Sequence, residues 1–266
     1  MKVALTIAGS DSGGGAGIQA DLKTFAAHGV HGTSAVTAIT AQSSVHVVEA
    51  FALEPRLVVA QIEAVAADMR VAAAKTGMLA NRGIVEAVAE AVARLRIPNL
   101  VVDPVMVAKG GDRLLDAGAV RAYIEALFPV ATVITPNLPE AAVLVGRPVT
   151  TLSAMHEAAR ELQSMGPRAV LVKGGHLEED AQGQAVDVFF DGRETVELKV
   201  PRLRTTNTHG TGCTLSAAIA ARLARGEALA DAVRGAKAFV TEAIRASYQV
   251  GSGPGPVDPW HAVRSR

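Results

Sequence analysis

The chain has 266 residues, with 26 basic side chains balanced by 26 acidic ones, and 49% of it is hydrophobic. Such a balance offers no electrostatic case for binding nucleic acid or an acidic membrane surface, and no run nears the roughly 18 apolar residues of a membrane span. One cysteine, Cys213, excludes an internal disulfide framework and suits a reducing cytoplasm.

This length can bury a large core. With no linker, repeat or low-complexity segment, the chain reads as a single domain, 1–266. Short β-branched runs alternate with longer helical patterns. In chain order, Val3–Ala8 is expected as a strand, not a signal peptide, followed by a helix over Ile18–Ala27. Strands Ser34–Thr40 and Val47–Leu53 precede helix Pro55–Asp68. Strand Ala72–Thr76 leads to helix Arg82–Leu95, and strand Leu100–Asp103 to helix Gly118–Leu127. Strand Val130–Thr135 is followed by helices Pro139–Val145 and Ser153–Met165, then strand Ala169–Lys173. Strands Ala185–Phe190 and Glu194–Val200 are joined through Asp191-Gly192, a hairpin signal. Helices Thr211–Ala224 and Ala228–Ala246 complete the pattern, and Gly251–Pro256 is loop, with Trp260 expected to dock the C-terminus. The alternation predicts an α/β fold, a mostly parallel sheet with helices on both faces. Few aromatics and abundant Ala, Val and Leu agree with it.

Ligands of such folds bind beyond the carboxyl ends of the strands. Gln42, Lys75, Asp103, Asn137 and Lys173 each follow or end a predicted strand, so five independent placements share one rim. Asn207-Thr208-His209-Gly210-Thr211-Gly212-Cys213 then runs into a helix with Leu215, Ile219 and Leu223 on one face. A glycine turn feeding a helix start offers unpaired N–H groups and a positive dipole end, a cradle for phosphate.

Other motifs admit two readings. The cluster Gly9-Ser10-Asp11-Ser12-Gly13-Gly14-Gly15-Ala16-Gly17 follows the first strand, but the dinucleotide spacing fails because Ile18 stands where the third glycine belongs. Walker A fails as well, since no Gly-Lys pair occurs. A plain turn or a substrate-facing turn remains. Asp21, placed on the first turn of the next helix, is either a carboxylate on the helix dipole or a ligand contact. Asn137 caps a helix, or with Glu140 three residues on faces a hydrated metal–phosphate. Lys173 snorkels from the surface or meets a phosphate as a point charge. Cys213 is a small buried hydrophobe or a thiol whose pKa is lowered by the helix start. Nothing fixes the ring of His209 on that sulfur, and His28 and His31 lack partners at metal-ligand spacing.

Taken together, Thr208-His209-Gly210-Thr211-Gly212-Cys213, Thr135-Pro136-Asn137-Leu138-Pro139-Glu140, Val172-Lys173-Gly174-Gly175-His176 and the opening Thr6–Lys23 resemble the bacterial hydroxymethylpyrimidine/phosphomethylpyrimidine kinases of thiamine biosynthesis. The likeness runs from the first strand to the Gly255-Pro256-Val257 tail. It implies a ribokinase-like three-layer sandwich and two successive ATP-dependent phosphorylations, first of 4-amino-5-hydroxymethyl-2-methylpyrimidine and then of its monophosphate. It further implies ATP with Mg²⁺, a small-molecule pyrimidine as partner, a homodimer and a cytoplasmic setting. By the same likeness Gln42 binds the pyrimidine edge, with Gly9, Asp21, Met78 and Val105 lining that pocket. Lys173, Asn137 and Thr208 belong to the ATP side, Glu140 and Asp103 to the metal. Gly210, Thr211, Gly212 and Cys213 surround the transferring phosphoryl. Cys213 stands where most sugar kinases of this fold carry Asp, and it is expected to accept the hydroxyl proton as thiolate or to position the hydroxymethyl. Ser43-Ser44 replaces a more usual Asn-Thr after the glutamine. A pyridoxal or pyridoxine kinase on the same scaffold is the nearest alternative, and a non-catalytic nucleotide-binding protein a more distant one.

Overall fold

The computed structural model describes residues 1–106, 117–175, 177 and 183–264. His176, which closes one of the motifs above, lies outside them. Strand β1 (Val3–Asp11) leads into helix α1 (Gly17–Ala27), followed by β2 (His31–Gln42), β3 (Val47–Ala52), α2 (Pro55–Asp68), β4 (Val71–Thr76), α3 (Arg82–Arg94), β5 (Leu100–Val102) and α4 (Ala117–Ala122). Then come β6 (Val133–Ile134), α5 (Leu138–Val145), α6 (Leu152–Ser164), β7 (Val170–Gly174), β8 (Gln184–Phe190), β9 (Thr195–Pro201), α7 (Thr211–Ala224), α8 (Leu229–Arg245) and α9 (His261–Arg264).

Among the described residues the strands form one nine-stranded sheet in the order β3-β2-β1-β4-β5-β6-β7-β8-β9. The six strands from β2 to β7 run parallel, and antiparallel pairs finish both edges. The centre is buried on both faces, and β1 and β4 accordingly read as near-continuous apolar runs. One core lies between the sheet and α2 to α6, with Ile7, Val88, Tyr123 and Leu162 fully buried in it. The other packs Phe25, Val101 and Ile219 between the sheet and α1, α7 and α8. Helix α7 is alanine-rich on nearly every face, which lets it lie close over the sheet.

Three expectations need correction. The helix expected over Gly118–Leu127 begins as α4, opens into a π-turn over Tyr123–Leu127 and ends as a 3₁₀ turn over Phe128–Val130. The strand expected from Val130 shrinks to Val133–Ile134, because Pro129 has no N–H for a parallel ladder and holds the chain in a turn closed by Ala131 N to Phe128 O. Trp260 does not dock the C-terminus and stays 44% exposed. Val257 and Asp258 are buried in its place, and His261 lies against Phe239 with ring centroids 4.8 Å apart. The β8–β9 hairpin is as expected, with the Asp191 carboxylate accepting the Arg193 and Glu194 amides.

A buried ion pair ties this frame together at β7. The Lys237 ammonium on α8 lies 2.6 Å from Asp187 on β8, whose other oxygen accepts the Gly174 amide. Removing one partner of a buried pair strands the other charge and costs about 3–5 kcal/mol. Lys237→Ala is therefore expected to lose stability of that order in urea unfolding, with m unchanged. A loss below about 1 kcal/mol, the scale of an exposed pair, would contradict a buried role for the pair.

Candidate active site

Two glycine turns meet where α7 begins. Gly210 is its N-cap in the left-handed region, at φ 78°. A methyl group there would also overlap the carbonyl oxygen of Gly15 in the turn after β1. The position is closed to larger residues on both grounds. Residues Thr211 to Cys213 form the first turn of α7, and Thr211 Oγ1 donates to the Thr208 carbonyl at 2.8 Å. His209 does not point at the sulfur. Its Nε2 lies 3.0 Å from the Asp11 carboxylate, which also accepts the amides of Gly13, Gly15 and Ala16 at 2.8, 3.1 and 2.8 Å. Burial alone would raise the Asp11 pKa, but His209 and the amides outweigh it and hold it below the usual range.

Beneath the α7 start lies a cluster of buried charges. Asp103, just past β5, receives Lys173 from the end of β7 at 2.8 Å, Thr135 Oγ1 at 3.2 Å and Ser216 Oγ at 3.3 Å. A methyl at Gly212 would lie 3.3 Å from the Lys173 ammonium and 3.5 Å from Asp103. The pair thus stands against the helix start itself. Burial works against the charge of Asp103, yet Lys173 and Lys75 more than offset it and keep the acid ionised. Burial likewise opposes the Lys173 charge, and Asp103 and Glu140 reverse the effect. At the end of β4, Lys75 is fully buried and sits 3.0 and 2.9 Å from the two oxygens of Asp21. Thr6 Oγ1 donates to the same carboxylate at 2.6 Å. Burial disfavours the Lys75 ammonium, but the carboxylates of Asp21 and Asp103 keep it charged above its ordinary value.

This geometry revises several expectations. Asp21 is the fifth residue of α1, not on its first turn, and its carboxylate has no exposed surface. Its oxygens are engaged by Lys75 and Thr6, so it orients a lysine. Asn137 and Glu140 form a capping box at α5: Asn137 Oδ1 accepts the Glu140 amide at 2.9 Å and Glu140 Oε2 accepts the Asn137 amide at 2.8 Å. The capping reading of Asn137 is therefore present, with its side-chain oxygen engaged at the helix start. Buried beside Lys173 and Asp103, the Glu140 carboxyl is pushed up to about 7. Asn137 also pairs in parallel with Lys173, so the strand-end residues Lys75, Asp103, Asn137 and Lys173 do gather at one rim.

Gln42 stands apart from them at the tip of β2. Its backbone amide donates to Ser12 Oγ at 2.7 Å and its side-chain oxygen accepts Thr40 Oγ1 at 3.2 Å. Gly9 and Met78 are neighbours, since a methyl at Gly9 would lie 2.5 Å from the Met78 methyl. Val105 is part-exposed, two residues past Asp103. Sequence reasoning missed Asp11, Ser216 and the pairing of Lys75. Asp11 had a usable signal: an aspartate heading a glycine run accepts amides two or more residues ahead of it. For Ser216 and Lys75 the partners lie far off in sequence, and no local pattern names them.

The thiol departs most from expectation. A helix start lowers a thiol pKa, and Lys75 acts in the same direction. Burial is the larger effect, aided by Asp21 and Asp103, and the Cys213 thiol is pushed up to about 11. At neutral pH the thiol is therefore held mostly protonated. Because Cys213 is the sole cysteine, alkylation by iodoacetamide reports on it directly. The rate is expected to climb about tenfold per pH unit between pH 7 and 9 as thiolate forms. A plateau below pH 9 would show a lowered pKa.

The family model described as phosphomethylpyrimidine kinase matches residues 11–258. A Rhizobium meliloti hydroxymethylpyrimidine/phosphomethylpyrimidine kinase is 51% identical over 262 residues, covering 97% of both chains. A solved Bacillus subtilis pyridoxal kinase in an ADP complex superposes with a TM-score of 0.92 at 40% identity, covering all of both chains. A Staphylococcus aureus pyridoxal kinase with AMP-PCP and pyridoxal gives 0.89 at 36% identity, covering 100% of this chain and 95% of that one. The three-layer α/β architecture implied by the motifs is thus present, and on sequence the chain belongs to the phosphomethylpyrimidine kinase family.

Proposed function

We propose that this chain is an ATP-dependent kinase that phosphorylates 4-amino-5-hydroxymethyl-2-methylpyrimidine and then its monophosphate, in thiamine biosynthesis. The observation that carries this reading is the contact between the Gly210–Cys213 helix start and the Lys173–Asp103 pair. A helix start beside an ammonium group suits a transferring phosphoryl, whose charge both would stabilise. In this reading the amides of Gly210, Gly212 and Cys213 donate to the phosphoryl oxygens, while Thr211, whose amide donates to the Thr208 carbonyl, shapes the turn; Lys173 neutralises the ATP phosphates, and Thr208 borders the nucleotide. Lys75, held by Asp21, presents a fixed ammonium dipole from below.

Mg²⁺ fits the donors present. Among the described residues no three His, Cys, Asp or Glu converge as a metal cage, but Mg²⁺ usually takes one or two protein carboxylates and completes its shell with water and phosphate. Glu140 and Asp103 would hold it, and Glu140 near pH 7 is poised to ionise beside a cation. When bound, the ion would neutralise phosphate charge during transfer.

The substrate hydroxymethyl meets Cys213 as a protonated thiol, which orients the oxygen. A loose phosphoryl-transfer transition state needs little base assistance, so the hydroxyl proton can leave late, to an oxygen of the transferred phosphate. Gln42 presents both a donor and an acceptor to the pyrimidine edge, and Gly9, Met78 and Val105 supply apolar wall. We further propose that two copies pair through the β2–β3 ribbon. Ile39 and Phe51 lie opposite each other across those strands and are 53% and 66% exposed, which a partner surface would cover. A single cysteine suits work in the reducing cytoplasm.

A second reading, pyridoxal kinase, draws on the closeness of the B. subtilis and S. aureus structures. Steady-state ADP formation with the pyrimidine, its monophosphate and pyridoxal separates the two. Both pyrimidines are expected to be turned over, with kcat/KM for the first at least about tenfold above that for pyridoxal, as the loss of a matched polar contact would give. No pyrimidine-dependent ADP, or a preference for pyridoxal, would reject the proposal.

A further inference from the structure

The C-terminal loop reads from sequence as a bare connector, yet it joins two parts of the site. At one end the Gly253 amide donates to Ser44 Oγ at 3.1 Å, and a methyl at Gly253 would overlap the Ser44 carbonyl. Ser44 lies in the turn directly after Gln42, where the Ser43 amide donates to His46 O at 2.9 Å. At the other end the Gly255 amide donates to Asn207 Oδ1 at 2.8 Å. His209 N donates to Gly255 O and Val257 N to His209 O, both at 3.1 Å. Asn207 and His209 are the lead-in to Gly210.

The loop between these ends is stiff. Gln249 Nε2 donates to the carbonyls of Gly251 and Gly253 at 3.0 and 2.6 Å. Pro254 and Pro256 fix φ, and Val257 and Asp258 anchor the segment in the interior. The β2–β3 tip, by contrast, is an exposed two-stranded ribbon, a form with little stability of its own.

We propose that residues 248–257 are a positioning strap, anchored by Ser44 and Asn207, which fixes Gln42 relative to the Gly210–Cys213 turn. The proposal builds on the reading of Gln42 as the pyrimidine contact. Ser44 and Asn207 act through the strap and are positioning residues. The strap makes the geometry of ring recognition and that of phosphoryl transfer one geometry.

The test uses the full chain in five variants: Ser44→Ala, Ser44→Thr, Asn207→Ala, the double Ser44→Ala/Asn207→Ala, and Gln42→Ala. Amide hydrogen exchange at Ser43 and the pyrimidine KM are measured in each. Asn207→Ala, at the far anchor, is expected to speed Ser43 exchange by about tenfold, the scale of one lost hydrogen bond. It is also expected to raise the pyrimidine KM about as much as Ser44→Ala does. The double variant should be no worse than either single one, because one strap is broken in all three, and Ser44→Thr should keep near-normal values. Unchanged Ser43 exchange in Asn207→Ala, or KM effects that multiply in the double variant, would overturn the strap. Faster Ser43 exchange with an unaltered pyrimidine KM in Gln42→Ala would support the strap and reject the Gln42 reading.

Discussion

Two ammonium groups, Lys75 and Lys173, are sunk into the carboxyl edge of a parallel sheet, and each is kept charged by an aspartate, Asp21 and Asp103. Placing such charges out of water costs several kcal/mol per ion, and well-packed apolar residues would often serve stability as well. The arrangement makes sense where fixed, oriented charges are needed and water is excluded. Fixed charges in a low-dielectric site act strongly on a developing anion and need no reorganisation when it forms. The rest of the site is arranged around them. Ser216 and Thr135 complete the shell of Asp103, α7 brings its amides over the Lys173–Asp103 pair, and Asp187 with Lys237 braces the strand that bears Lys173.

Close approach is the second constraint. The turn after β1 and the turn before α7 touch where Gly210 meets the Gly15 carbonyl; a methyl at Gly210 would overlap that carbonyl, and one at Gly15 would overlap the His209 ring. Asp11 fastens them from the side by gathering three amides and His209. This corner is thus built from two segments nearly 200 residues apart, held at backbone distance. The C-terminal strap enters at the same His209.

Much of this was legible in the sequence because it is local. The strand and helix patterns located most elements, Asp191-Gly192 located the hairpin, and four of the polar residues at strand ends do gather at one rim. Where it failed, a distant partner decided the outcome. Asp21 looks like a helix-start carboxylate until Lys75, 54 residues away, is seen against it. Cys213 looks like an activated thiol because the helix dipole is local, whereas the burial that overrides it is a property of the assembled fold. Asn137 and Glu140 carried both readings in one motif, and the capping box is the part the backbone makes visible. The strap could not be read at all, since glycine and proline signal a turn without saying what the turn touches.

The direct test of the charge arrangement is the kcat of Lys173→Met with the pyrimidine and saturating ATP, on protein shown folded by near-UV circular dichroism. Removing one preorganised group that stabilises transition-state charge typically costs about 10²–10³ in kcat. A loss of that order is expected. A kcat within about threefold of the parent would show that the buried Lys173–Asp103 pair serves the fold and not phosphoryl transfer.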